Sequence, residues 1–436
     1  MVIQAEELNV NTSVIMNKLN LGTEMKGFPS GIDWSLVLHR VAVEEECDLR
    51  FSKEEYISTF AHTQYVFDFK TESESKVLLF ESFNGRKNFV EYINALSELI
   101  SSDVVVEKPG KRSVDLFRGL KYKFCFFPSW QKILKKARLG GNFERRALYY
   151  LVNLHRFYLE LEKSKEVQQI SFKKYNLFVT FYDSMPKDAF FVQLMRLNGV
   201  KTATLQHGAF TAQRNNQLVN SGVELRTLNS DYFLCWNRFT VDEAIKEGFD
   251  KRRCIISGIL GFAKNDKRIL CDSVTNNTFG VVIGHPTFEE ENKILIESAN
   301  KLASKTGMSF YLKLHPNYSE TYFDDVVDKK YYRGIIKKGI PMLDYANTVE
   351  FSIVGASTVF VELVYLGHPV LRYSSGEIVD KWRDIKVGYC FDSPDGVTVV
   401  YEKMKNATEE KELFDYLCSV ENVRDSYKDI LNQLSA

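Results

Sequence analysis

The stretch at residues 353–373, IVGASTVFVELVYLGHPVLRY, carries the clearest fold signal in the chain. An apolar run ends at Gly355, a helical pattern starts at Thr358, and apolar residues return directly after His368 and Pro369. A strand, a helix and a second strand in immediate succession are typical of a parallel sheet with helices packed on it. This stretch therefore predicts an α/β fold.

The same alternation of apolar runs and helical patterns extends outward over most of the chain. It begins near residue 76, stops at the polar stretch AKNDKRILCDSVTNN (263–277), and resumes with TFGVVIGHP. Because 436 residues exceed the size of one ordinary core, we predict two doubly wound, Rossmann-like α/β domains in tandem. The predicted divisions are an N-terminal elaboration (1–75), a first domain (76–265), a second domain (275–410) and a C-terminal helix (411–436) that closes the second domain or crosses back.

Composition excludes several classes of protein. Hydrophobic residues make up 44% and charged residues 26%, as in folded globular proteins. A formal net charge of zero provides no global field for nucleic acid, and no nucleic-acid-binding module is recognisable. The seven cysteines form no CxxC pair, which indicates reduced thiols and argues against structural zinc. We expect a cytoplasmic protein, since neither a signal peptide nor a membrane-spanning stretch stands out.

Three histidines follow predicted strands. His207 ends the run TATLQ in the first domain, whereas His285 and His315 each precede a proline in the second domain. Ligands of open parallel sheets bind beyond the carboxyl ends of the strands, so we expect these histidines to face one cleft between the domains. Further residues expected in that cleft are Gln206, Gly208 and Thr287.

The turn inside residues 353–373 predicts an anion site. Ser357 and Thr358 open the helix, where free backbone N–H groups, two hydroxyls and the helix dipole favour a phosphate or diphosphate. Glu362 follows one turn later, where its carboxylate can accept hydrogen bonds from ribose hydroxyls. A plain helix cap with a solvated Glu362 is an equally good interpretation.

The segment YLKLHPNYS (311–319) predicts further donors beside that anion site. Lys313 points away from its leucine neighbours, and a residue before proline is held extended, so the His315 ring can project toward a phosphate. Alternatively, the His315 ring is hydrogen-bonded to carbonyl groups of its own loop and has no role in binding. In the similar segment VVIGHPTFEEEN, we expect Thr287 to cap the following helix and His285 to be structural rather than catalytic.

The ordered segments TLQHGAF, SDYFLCWNRFTVDEAIKEGF, VVIGHPTF, KLHPNYS and GASTVFVELVYLGHPVLRY resemble bacterial glycosyltransferases of the GT-B fold. The similarity spans residues 175–375. It is greatest to enzymes of surface polymers, namely the CDP-glycerol glycerophosphotransferases (teichoic-acid polymerases) and the capsule sialyl- and polysialyltransferases. Two departures concern the transferred group: Glu289 and Glu290 follow where the glycerophosphotransferases tend to carry arginine, and the acid pair of the polysialyltransferases is not obvious.

The resemblance implies transfer of a sugar or polyol phosphate from a nucleotide-activated donor to a growing surface polysaccharide or lipid-linked glycan. It implies that His207 is the candidate base on the acceptor hydroxyl, a task that suits the near-neutral pKa of imidazole. It also implies no metal or other cofactor. The donor's phosphates would contact Lys313, His315, Ser357 and Thr358, and its ribose Glu362.

Two other functions remain open from the sequence. A non-hydrolysing UDP-sugar 2-epimerase would share the fold, a His-Pro-Asn stretch and an acid-bearing helix, but carries Gly-Gly and tandem Glu where this chain has Ser-Thr and a single Glu362. A catalytically silent scaffold of the same fold is the third interpretation.

A basic, aromatic stretch precedes residue 150. It can lie on the anionic inner face of a membrane or grip an anionic polymer, although an ordinary solvated helix face is the preferred interpretation. The residues of this candidate patch are Trp130, Lys132, Lys135, Lys136 and Arg138.

Overall fold

A computed structural model describes residues 28–39, 62–72, 74–82, 87–113, 142–181, 183–206, 208–210, 228–263, 275–336, 339–374, 382, 385, 388–406 and 411–436. The chain divides into two compact units. The first unit takes its described residues from Met1–Cys235, Val241–Lys264 and Val423–Ala436, and the second from Trp236–Thr240 and Asn265–Asn422.

The first unit is built on a sheet. Its strands are β1 (His62–Lys70), β2 (Val77–Glu81), β3 (Asp103–Ser113), β4 (Leu177–Thr180), β5 (Lys201–Leu205), β6 (Tyr232–Cys235) and β7 (Cys254–Ile256). Within the described residues the sheet has seven strands in the order β1-β3-β2-β4-β5-β6-β7. Strand β1, from the segment predicted as an N-terminal elaboration, runs antiparallel to β3, and the other neighbours pair in parallel.

Helices alternate with these strands, as the apolar pattern predicts. They are α1 (Trp34–Val37), α2 (Lys87–Leu99), α3 (Asn142–Val167), α4 (Pro186–Leu197) and α5 (Arg238–Lys246). Strand β4 is buried along its whole length, which explains its continuous apolar sequence LFVT.

Aromatic rings fill the core of the first unit. The Phe191 ring of α4 lies 5.1 Å from Phe80 of β2 and 4.6 Å from Phe178 of β4, measured between ring centroids. Phe157 of α3 packs on Phe80 from the same core, at 6.1 Å. Burial of these large side chains provides the main favourable term for folding of this unit.

The second unit contains a separate parallel sheet. Its strands are β8 (Thr278–Val282), β9 (Ser309–Lys313), β10 (Tyr332–Ile335), β11 (Ser352–Val354), β12 (Val370–Tyr373) and β13 (Tyr389–Phe391). Its helices are α6 (Glu289–Thr306), α7 (Met342–Ala346), α8 (Val359–Tyr365), α9 (Gly396–Lys405) and α10 (Lys411–Leu417). The described strands form a six-stranded sheet in the order β10-β9-β8-β11-β12-β13.

The predicted fold class is confirmed by the two sheets. Residues 353–373 fold as the predicted strand, helix and strand, since β11, α8 and β12 follow one another and β11 pairs in parallel with β12. The strand order reverses once in each sheet, between β2 and β4 in the first and between β8 and β11 in the second. Such reversals define a doubly wound, Rossmann-like fold and mark where its ligands bind.

The C-terminal segment forms two helices instead of the single predicted one. Helix α10 ends at Leu417, and Ser419 Oγ donates a hydrogen bond to the Asp415 carbonyl, a local bond that competes with continued helix. Helix α11 (Val423–Ser435) belongs to the first unit. Its Tyr427 hydroxyl accepts from Ser257 Oγ at 3.0 Å, so this last helix is tied to the end of β7.

Three buried polar side chains form a hydrogen-bonded series in the core of the second unit. The Tyr345 hydroxyl lies 3.0 Å from Ser352 Oγ, which lies 2.9 Å from His368 Nε2. Burial lowers the pKa of His368 to about 4, so its ring is neutral. Tyr345 fits here because the residue opposite its hydroxyl is Gly280 of β8.

We expect Gly280→Ala to lower the free energy of unfolding by about 1–3 kcal/mol, the usual cost of overpacking a core. A Cβ atom at this position would lie 2.0 Å from the Tyr345 hydroxyl oxygen and 2.9 Å from Cζ. Urea denaturation measures the change. Gly396→Ala is the control, because its new Cβ would meet nothing closer than 3.3 Å. Equal stability of the two variants would contradict this packing.

Candidate functional site

The candidate site lies at the carboxyl edge of the second sheet. Strands β9, β8 and β11 are neighbours and parallel, so their carboxyl ends share one edge at the point of strand reversal. His285 follows β8, Lys313 ends β9, and His315 follows two residues later. Glu362 approaches the same edge from the first turn of α8. The topology thus brings together four of the residues predicted from the sequence.

His285 and His315 form an imidazole pair. Their ring centroids are 4.9 Å apart, and the rings meet edge to face at 80°. The Asn317 backbone N–H donates to His315 Nδ1 at 3.2 Å, and the Asn317 side-chain amide lies 3.2 Å from His285 Nε2. Partial burial and the neighbouring His285 lower the pKa of His315, which keeps its ring neutral at pH 7.

Glu362 and Lys313 are coupled electrostatically within the same edge. Burial raises the pKa of Glu362 to about 7, and the Lys313 charge opposes that shift. Burial likewise lowers the pKa of Lys313, opposed by Glu362. The Lys313 ammonium also lies 5.6 Å from the centroid of the Tyr345 ring, close enough for a cation–π contact. Glu362 is only partly buried as a residue, although protein atoms crowd its carboxyl.

The turn between β11 and α8 already holds a carboxylate. The Ala356 N–H donates to Glu291 Oε1 at 2.7 Å, and a Cβ at Gly355 would lie 2.0 Å from that oxygen. A Cβ at position 355 would therefore displace the Glu291 side chain from this contact. The Val359 N–H donates to Ser357 Oγ at 3.3 Å. The expectation of free N–H groups at this turn is thus wrong for Ala356 and Val359, because both donors have partners.

Ser357 and Thr358 lie at the start of α8 and are partly exposed. The Ser357 carbonyl accepts from the Phe360 N–H at 3.2 Å and from Trp382 Nε1 at 3.1 Å, and the Thr358 carbonyl accepts from the Val361 N–H. Among the described residues neither hydroxyl donates a hydrogen bond, so both can donate to a ligand.

Asn292, which the sequence pattern did not single out, fixes the turn after β8. Its side-chain oxygen accepts the Gly284 N–H at 2.8 Å, and its amide nitrogen lies 3.1 Å from the Tyr318 hydroxyl. Thr287 lies in the short 3₁₀ turn Pro286–Phe288, and Phe288 is the residue before α6. An asparagine inside an otherwise helical pattern was the available signal, because asparagine is a poor helix former.

The first unit has its own strand reversal, between β2 and β4. Gln206 follows β5 and is buried, and its side-chain amide donates to the Gly208 carbonyl at 2.8 Å. Gly208 has a φ of 91°, a conformation that favours glycine. His207, between them, lies outside the described residues, as do Trp130, Lys132, Lys135, Lys136 and Arg138.

Two buried acids that the sequence pattern did not indicate lie beside this reversal. Asp183 follows β4 and accepts the Ser230 N–H at 2.7 Å, and Asp188 in the first turn of α4 accepts the Thr180 hydroxyl at 2.5 Å. Burial raises their pKa values, to about 6 for Asp183 and about 7 for Asp188. Both groups therefore exchange protons near neutrality. The local signal was an acid directly after the apolar run LFVTFY.

The described residues include neither a candidate metal cluster nor a candidate membrane span. Among those residues no three His, Cys, Asp or Glu side chains are grouped so as to hold a metal ion. No described helix is long and apolar enough to cross a membrane.

Comparison with known proteins shows the fold and no family. No protein-family model matches the chain, and neither does any curated protein. A putative UDP-N-acetylglucosamine 2-epimerase from Listeria monocytogenes has a TM-score of 0.50 at 11% identity, covering 82% of this chain and 95% of its own. The UDP-GlcNAc 2-epimerase of Methanocaldococcus jannaschii, in complex with UDP-GlcNAc and UDP, has a TM-score of 0.47 at 13% identity, covering 82% of this chain and 98% of its own. The wall teichoic acid polymerase TagF has a TM-score of 0.44 at 11% identity, covering 98% of each chain. The chain has the two-domain α/β fold of the GT-B class.

We expect Glu291→Ala to lower the free energy of unfolding by about 1–3 kcal/mol, because the Ala356 N–H loses a charged acceptor. Glu291→Gln keeps a side-chain oxygen for that N–H and should cost less. Thermal denaturation of both variants tests the contact. Glu290→Ala is the control, since Glu290 is exposed and pairs with Lys293. A Glu291→Ala variant as stable as the Glu290→Ala variant would show that the contact does not hold the turn.

Proposed function

We propose that this chain is a glycosyltransferase that uses a nucleotide-activated sugar or polyol phosphate. The observation that supports this best is the grouping of Lys313, His315 and Glu362 at the reversal point of the second sheet. Cationic and N–H donors beside a recessed carboxyl match the two polar parts of a nucleotide, namely its phosphates and its ribose hydroxyls.

The donor's phosphates are assigned to Lys313 and His315, with the hydroxyls of Ser357 and Thr358 as further donors. Since the Ala356 N–H is bonded to Glu291, most of the positive charge at the phosphates comes from Lys313. The carboxylate of Glu362 accepts hydrogen bonds from the ribose. Gln206, Gly208, His285 and Thr287 complete the proposed set of contacts with donor and acceptor.

With a sugar donor, the acceptor hydroxyl oxygen attacks the donor carbon that carries the phosphate; with a polyol phosphate donor it attacks the phosphorus, and the P–O bond to the nucleotide breaks instead. In the sugar reaction the new C–O bond forms as the bond to the phosphate oxygen breaks, and the nucleotide leaves with that electron pair. The acceptor proton passes to His207 as the general base, so a single displacement inverts the configuration. The charge that develops on the leaving phosphate is stabilised by Lys313 and His315.

The acceptor in this proposal is a growing surface polysaccharide or a lipid-linked glycan. The candidate patch around Trp130 and Lys135 would then contact the inner face of the cytoplasmic membrane or the polymer itself. No metal takes part in the proposed step, since Lys313 meets the phosphate charge, and transfer should proceed at the same rate in EDTA.

Binding and turnover assays together test the proposal. Thermal shifts with CMP, CDP, UDP and GDP identify the nucleotide, and the matching activated sugar is then incubated with and without a glycan acceptor. Nucleotide release that requires the acceptor supports transfer. Epimerised sugar without an acceptor would indicate a 2-epimerase, and no turnover with any donor would indicate a scaffold.

We expect binding of a nucleoside diphosphate sugar to tighten as the pH rises from 6 to 8, by up to about tenfold. Glu362 has a pKa of about 7 in the folded chain, above its ordinary value of 4.5, so its ionised fraction increases across this range. The ionised carboxylate is the stronger acceptor for ribose hydroxyls, and His315, with its lowered pKa, stays largely neutral. Isothermal titration calorimetry at three pH values measures this trend.

Glu362→Gln should bind more weakly at pH 8 and lose the pH trend, while Glu290→Gln, a change of an exposed carboxylate, keeps it. The same shift has a consequence for folding. Because the folded pKa lies above the unfolded one, the contribution of Glu362 to stability falls as the pH rises from about 4.5 through about 7, and Glu362→Gln removes that contribution to the pH dependence. An unchanged pH trend in Glu362→Gln would remove Glu362 from the ribose site.

We expect His207→Ala to abolish acceptor-dependent nucleotide release while the dissociation constant of the nucleotide changes less than about twofold. The physical reason is that the proposed base acts on the acceptor hydroxyl and has no proposed role in holding the nucleotide. Full transfer activity in this variant would exclude His207 from the chemistry.

A further inference from the structure

One residue contacts the imidazoles of both His285 and His315. Asn317 lies two residues after His315, in a turn closed by a hydrogen bond from the Tyr318 N–H to the His315 carbonyl at 3.0 Å. From this turn its backbone N–H reaches His315 Nδ1 and its side-chain amide reaches His285 Nε2, each at 3.2 Å.

The two contacts dictate where the ring protons lie. A backbone N–H can only donate, so His315 Nδ1 is an acceptor and the proton of the neutral ring is on Nε2. The Asn317 amide nitrogen is also a donor, so His285 Nε2 accepts and its ring proton is on Nδ1. Free histidine side chains prefer the Nε2–H form, so the form assigned to His285 is the one that needs a partner to hold it.

We propose that Asn317 is a positioning residue that fixes the tautomers of His285 and His315. The rings meet edge to face with their centroids 4.9 Å apart, so a single residue can contact both of them. With Nδ1 engaged, His315 offers a ligand only its Nε2–H, which donates to phosphate oxygens and cannot accept from hydroxyls.

The side chain of Asn317 is specific for this task. An aspartate side chain has the same shape, but its carboxylate can only accept hydrogen bonds. A bond to His285 would then require a proton on Nε2 of that ring. Alanine makes no bond to His285, yet it keeps the backbone N–H that holds His315. Substitution at this one position therefore separates the two histidines, since only His285 depends on the side chain.

The tautomers are measured by ¹⁵N NMR of the imidazole nitrogens in the ligand-free chain, with signals assigned through His285→Gln and His315→Gln. In the parent chain we expect Nδ1–H for His285 and Nε2–H for His315. Asn317→Ala and Asn317→Asp should move His285 to Nε2–H or to the cation and leave His315 unchanged, and Ser319→Ala, an exposed neighbour, should change neither. Nε2–H on His285 in the parent chain, or no change in Asn317→Ala, would overturn the proposal.

The consequence for ligand binding rests on the proposed function and is tested separately by a double-mutant cycle. Asn317→Ala should weaken nucleotide binding about three- to tenfold in the parent chain, the range of one net hydrogen bond, but less than about twofold in a His285→Ala background. An equal loss in both backgrounds would show that Asn317 does not act through His285. If the parent chain binds no nucleotide, the proposed function fails, and the NMR result still decides the positioning role.

Discussion

Parallel pairing of β8 with β9 on one side and β11 on the other is the constraint on which the candidate site depends. Parallel strands end at the same edge, so residues that are 70 positions apart in sequence, such as His285 and Gly355, start neighbouring loops. The pairing is possible because β8 can carry Gly280 beneath Tyr345, whose hydroxyl joins the buried chain through Ser352 to His368. The sheet that carries the polar groups of the edge thus contains a chain of buried hydrogen bonds.

The electrostatics of this edge follow from incomplete burial. Removing water disfavours charge on both Glu362 and Lys313, and each partly restores the charge of the other. The result is a carboxyl that titrates near neutrality on the same sheet edge as the imidazoles of His285 and His315. The Glu291 carboxylate occupies the turn before α8, where it accepts the Ala356 N–H.

Local sequence patterns predicted the elements and the residues at strand ends, because both depend on the order of apolar and polar residues. They gave the strand, helix and strand of residues 353–373 and placed His285 and His315 at one edge. They missed the hydrogen bond between Glu291 and Ala356, the anchoring role of Asn292 and the buried pair Asp183 and Asp188. Each of these depends on contacts between separate elements, which no periodicity reports.

The central claim is that the second unit binds the activated nucleotide at its strand-reversal edge. The most direct measurement is a crystal structure of the full chain with the nucleotide diphosphate that gives the largest thermal shift. The account predicts phosphate oxygens within hydrogen-bond distance of Lys313 Nζ and His315 Nε2, with ribose hydroxyls on the Glu362 carboxylate. A nucleotide bound elsewhere, for example beside Asp183 in the first unit, would contradict it.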